Sequence, residues 1–143
     1  MPFEYLDDLA TADVAFRATG QSREELFVAA CDALVNVMLT DLKAIADKKD
    51  QSIIIEDPNL DMLLFQLMQE LIYLKDAQKL ILRVREINIK EERHAFVLKA
   101  RVAGEQIDLS RHHFNVDVKA VTLHRFQVRQ IDNGWEAIVV LDI

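Results

Sequence analysis

The sequence predicts a single α+β domain spanning residues 1–143, with two helices packed on a mostly antiparallel sheet of about six strands. Three observations lead there. Apolar residues recur at helical spacing in two long segments, one following Ser22 and one following Pro58. After residue 79 the chain consists of strand-like runs that alternate apolar and polar side chains, interrupted by a loop. The last two runs are joined by Asp132-Asn133-Gly134, and Asn-Gly is a strong hairpin signal.

Each element has its own local reason. "ADVAFRATG" (12–20) alternates, with Val14, Phe16 and Ala18 on one side and Asp13, Ala15 and Arg17 on the other, and Gly20 closes the strand. "SREE" follows, with Ser22 as N-cap and Glu25 three residues later, a capping box that opens a helix running to about residue 40. Leu26, Phe27, Ala30, Leu34, Val37 and Met38 form its apolar stripe, and Cys31 is a small buried packing residue among them. Residues 41–50 read as a charged connection and 52–55 as a short buried strand. Asp57-Pro58 predicts an N-cap with proline in the first turn, and the second helix runs from there to about Ala77. Phe65 and Ile72 widen its stripe beyond one face. That width fits a helix buried on two sides or a face that docks another protein.

The C-terminal half reads as β. "KLILRVREINIK" (79–90) shifts phase near Glu86, predicting a bulge. "HAFVLKARVAG" (94–104) returns beside it with Phe96, Leu98, Ala100 and Val102 inward. A loop through residues 105–117 leads to the final hairpin.

Composition narrows the function classes. Lys and Arg number 17 against 24 Asp and Glu, a formal charge of −7, which repels phosphate backbones and disfavours direct nucleic-acid binding. The longest uncharged apolar stretch, "MLLFQLMQ", is far too short to cross a bilayer, and the acidic start is unlike a secretory signal. A lone cysteine forms no internal disulfide. A cytoplasmic protein with no membrane role is the expectation.

The closing run "VVLDI" places an aspartate and a chain-terminal carboxylate on an apolar strand. With Asn133-Gly134 as a type I′ turn, Phe126 faces Leu141, Arg125 faces Asp142 and His124 faces Ile143. Leu141 then lies in the core and Asp142 on the more polar face. One reading of Asp142 is a cross-strand ion pair with Arg125. The other joins Asp142 to Asp13 and the Ile143 carboxylate in an oxygen cage, which a hard divalent cation would neutralise. Calcium tolerates irregular oxygen geometry best, with magnesium or manganese as alternatives.

Other chemistry is sparse. His112 and His113 read as surface-loop residues, and His124 as packed at the core edge or functional. Glu70 and Tyr73 lie on adjacent turns of the second helix. No zinc spacing, nucleophile elbow or phosphate-binding glycine loop is present in the sequence.

Several stretches in order resemble the archease family: "FEYLDDLATADVAFRATG", "ELFVAACDALVNVMLTDL", "LLFQLMQELIYLKD", "SRHHFNVDVKAVTLH" and "GWEAIVVLDI". Thr11-Ala12-Asp13, Lys119-Ala120-Val121-Thr122 and the terminal Leu-Asp-Ile are jointly specific. The resemblance implies a non-enzymatic activator of an RtcB-type RNA ligase. Such a protein promotes guanylylation of the ligase and its multiple turnover in tRNA splicing or RNA repair, and the family also has chaperone-like behaviour. It implies a calcium site made by Asp13, Asp142 and Ile143. Ala10 stands where many members have histidine, and Leu123 where they often have tyrosine. Two alternatives stand beside the activator: a small metal-dependent phosphoesterase, with His124 or Glu70 moving protons, and a chaperone-like interaction module.

Overall fold

The computed structural model describes residues 2–7 and 13–143. In chain order these form β1 (Phe3–Tyr5), β2 (Val14–Gly20), α1 (Arg23–Met38), a 3-10 turn (Leu42–Ala44), β3 (Lys49–Asp57), α2 (Leu60–Gln78), β4 (Leu80–Glu91), β5 (Phe96–Gln106), β6 (Ala120–Ile131) and β7 (Gly134–Asp142). The α+β class and both helices are as the sequence predicts. Among the described residues the strands number seven rather than about six, and they divide into two antiparallel sheets, β1-β2-β7-β6 and β3-β5-β4. The expectations for Ala10 and for Thr11-Ala12 lie outside the described residues.

The capping box forms: Ser22 Oγ accepts the Glu25 N–H at 3.1 Å, and Glu25 Oε2 accepts the Gln21 N–H at 2.9 Å. The second helix starts later than Asp57-Pro58 suggests. Asp57 ends β3 and its carboxylate accepts the Asn59 N–H at 2.8 Å and Gln66 Nε2 at 2.8 Å, while Asn59 is the N-cap. β3 also reaches back to Lys49, because its charged residues pair with β5 across the whole of their length.

Both helices pack against strands of both sheets. Position around the helix therefore matters little to burial: α1 buries Leu26, Phe27, Ala29, Cys31, Ala33 and Val35 alike, and α2 buries Leu64, Leu67 and Ile72. Phe65 meets Phe126 of β6 edge-on at 5.7 Å between ring centres. The two-sided burial of α2 is thus realised, with Tyr73 remaining exposed.

The predicted bulge in β4 is present: Val84 faces Val102 and Glu86 faces Arg101, leaving Arg85 unmatched. The final hairpin differs in register. Its turn residues are Asp132 and Asn133, Ile131 faces Gly134, and Gly134 itself takes the positive φ of 146°. From there the pairing runs to Gln127 opposite Ile138. It then breaks, and Thr122 faces Val140. The residues Leu123 to Phe126 loop out opposite Val139, with Arg125 in the left-handed region at φ 56°.

Candidate metal centre at the end of the four-stranded sheet

The bulge decides what lies beside the end of β7. Arg125 is not across from Asp142; Ala120 is, and Arg125 and His124 are both exposed on the bulge. The expected Arg125–Asp142 ion pair is therefore replaced by a small neighbour, and His124 does not pack at the core edge. Facing alternation itself holds: Leu141 is fully buried and belongs to the core, and Asp142 points to the other face, partly exposed.

On its other side β7 pairs with β2, and Val14 faces Leu141. Carried one residue further, that register sets Asp13, the exposed residue at the bend before β2, across from Asp142. Residues directly opposite in an antiparallel pair share a face, with Cα atoms about 4.5–5.5 Å apart. The two acids, far apart in sequence, thus close adjacent strands at the same end, and Ile143 follows directly. Lys119, across from Ile143 by the same counting, donates its backbone N–H to the Asp142 carbonyl at 2.8 Å.

Helix α2 holds β6 in this position. Gln69 Oε1 accepts the Val121 N–H at 2.8 Å. The buried Lys75 donates to the Asp117 carboxylate, to the Val118 carbonyl at 2.9 Å and to Asp76 at 2.8 Å. Its placement was readable in principle, since Lys75 follows Leu64, Met68 and Leu71 along the stripe that α2 buries.

Whether these residues suit a cation is a question of donor type. Asp13, Asp142 and a carboxylate at Ile143 offer oxygen only. The Thr122 hydroxyl shares the face of Ala120 and Asp142 and is buried with no hydrogen-bond partner among the described residues. An all-oxygen set with an idle hydroxyl beside it matches a hard divalent cation. Among the described residues no three His, Cys, Asp or Glu side chains converge on one point. Among the described residues, the chain-terminal carboxylate or main-chain oxygens would be the further donors.

A second polar cluster went unseen in the sequence. His112, expected on the surface, is buried with Glu105 beneath the loop that follows β5. Glu105 Oε2 accepts the Ala46 N–H at 2.7 Å and faces His112 Nε2 at 3.1 Å, and Oε1 accepts from Arg111. His112 Nδ1 accepts the Asp108 N–H at 2.9 Å, so the proton of the neutral ring sits on Nε2 and is given to Glu105. Burial pushes the Glu105 carboxyl upward, but the bonds from Arg111, Ala46 and His112 outweigh it and hold the group down at about 2. The cluster ties the 3-10 turn and the loop before β6 to the end of β5. Its chemistry is that of a structural knot. Glu70 and Tyr73 show no bond to each other.

Residues 3–143 match the archease protein family. The archease of Methanosarcina barkeri is 37% identical over 142 residues, covering 99% of this chain and 95% of its own. That of Pyrococcus abyssi is 32% identical, covering 93% and 94%. The solution structure of Methanobacterium thermoautotrophicum protein 1598 superposes with a TM-score of 0.86 at 29% identity, covering 99% of each chain. The crystal structure of a Thermotoga maritima archease, described as a possible chaperone, has the same fold, with a TM-score of 0.65 at 19% identity and coverage of 96% of each chain.

Proposed function

Because the chain belongs to the archease family, we propose that it is a cytoplasmic, metal-binding accessory protein that activates an RtcB-type RNA ligase in tRNA splicing or RNA repair. It promotes guanylylation of the ligase and sustains its turnover, without itself catalysing a reaction. The observation that supports this reading is the Val14–Leu141 pairing, whose register, continued by one residue, would set Asp13 opposite Asp142. Asp13, Asp142 and the Ile143 carboxylate would hold the cation, with calcium first and magnesium or manganese next. The bound ion would neutralise the acids and present a positive centre to a partner. What this chain supplies is the rigid placement: α2 fixes the start of β6 through Gln69 and Lys75, and β6 and β2 flank the end of β7. The protein's negative charge suits contact with a basic, phosphate-binding ligase better than with RNA itself.

The test is ligase guanylylation and multiple-turnover joining with and without this protein, then with Asp13→Ala and Asp142→Ala. Stimulation by the wild type and its loss in both variants is expected. Unchanged turnover on adding the wild type ends the activator reading.

The chaperone-like reading draws on the description of the Thermotoga maritima protein and on the exposed apolar side chains Ile54, Tyr73, Leu109 and Leu123. Suppression of aggregation of an unrelated unfolded protein, at equimolar ratio and with no ligase present, distinguishes it.

A further inference from the structure

A groove of about 790 Å³ runs along α1 at the other end of the four-stranded sheet from Asp13 and Asp142. Its floor is apolar, formed by Val28 and Ala29 of α1, Ile87 of β4 and Ile131 of β6, and Glu24 and Glu25 stand on its rim. Asp32 closes one end and is neutralised by Arg83, which donates to its two oxygens at 3.1 and 3.2 Å. The rim glutamates differ. Glu24 accepts the Ile89 N–H at 3.2 Å and Glu25 the Gln21 N–H at 2.9 Å, and among the described residues neither forms an ion pair. A carboxylate has about four acceptor positions, so both keep oxygens for a cation.

We propose that this groove binds an extended, cationic segment of a partner protein, its apolar side chains on the Val28–Ile131 floor and its Lys or Arg side chains against Glu24 and Glu25. Charge complementarity selects this occupant: the rim carries two carboxylates that form no ion pair among the described residues, on a chain of net charge −7. Length agrees. From Glu24 to Asp32 the helix rises about 12 Å, which spans about four residues of extended peptide. The inference takes from the accessory-protein reading only that the partner is a protein. The groove is remote from the acidic sheet end, so either can fail while the other stands.

The probe is a fluorescein-labelled pentapeptide alternating Lys or Arg with Leu, titrated against the full chain in EDTA, with amide chemical shifts followed in parallel. Saturable binding is expected, with shifts concentrated between Gln21 and Asp32 and at the Ile131–Asn133 turn. Glu24→Lys should weaken binding about tenfold. A matched peptide carrying Glu in place of Lys and Arg should not bind. Should Glu24→Lys lower thermal stability, Val28→Gln on the floor is read in its place, with the same loss expected. Shifts scattered over the surface, equal binding of the acidic peptide, or affinities within about twofold of wild type in the variants overturn the proposal.

Discussion

Val14 faces Leu141 across the β2–β7 ladder, and both side chains pack into the core. Since side chains alternate along a strand, the residue on the outer side of each partner faces away from that core. Those residues are Asp13 and Asp142. Continued by one residue, the register of this core contact sets two surface acids opposite each other, and the apolar pair rather than the acids would supply the energy for that arrangement.

Calcium should stabilise the wild-type fold. At a hundredfold excess over its dissociation constant, binding to the native state alone contributes about 2.7 kcal/mol, roughly 5–10 °C in melting temperature for a chain this size. Asp13→Asn and Asp142→Asn should each remove most of that shift, as read by scanning calorimetry with calcium and with EDTA. A calcium shift of equal size in the variants would reject both residues as ligands.

Chain extension offers an independent check on Ile143. Two residues added after it convert the carboxylate into an amide and move the charge away. Calorimetric titration should show weaker calcium binding while the far-ultraviolet circular dichroism stays the same. Equal affinity in the extended and original chains removes the Ile143 carboxylate from the donor set.

Glu105 makes stability depend on acidity. Its folded value of about 2 lies below the ordinary glutamate value, about 4.3. The contribution is therefore complete above the unfolded value and disappears as pH falls from there toward 2. Glu105→Gln, which leaves Arg111 and His112 without their anion, should cost about 2 kcal/mol at neutral pH. The variant should also flatten the stability profile within that acid window. Urea unfolding at a series of pH values measures both, and parallel profiles for the two proteins would refute the assignment.

Cys31 should be inert in the native protein. Burial, helped by Asp32, raises its thiol well above the usual range, so little thiolate exists to react. Labelling by iodoacetamide at pH 8 should be slow in buffer and fast in denaturing urea. A native rate close to the unfolded one would show that α1 opens locally.

Much of the fold was legible because its signals are local. Ser22 and Glu25 announce a helix start within four residues, and the phase slip near Glu86 announces a bulge within one strand. β1 was missed because three residues carry too little alternation to be seen. The hairpin register was misjudged because Gly134 takes the positive φ after the turn instead of within it. The Leu123–Phe126 bulge then moved Ala120 opposite Asp142, in the place expected for Arg125. His112 resisted reading for a different reason. Its burial depends on Glu105 and on the Ala46 N–H, 66 residues away in number, and only the closed loop brings them together.

By itself the sequence determined the α+β class, both helices, the facing of Asp142 away from the core and the resemblance to archeases, since periodicity and motif order are written along the chain. Tertiary structure alone decided the division into two sheets, the burial of His112 and Glu105, and the pairing of Val14 with Leu141. Those depend on which strands pair and in what register, and a register is set by the packing of side chains drawn from distant parts of the chain.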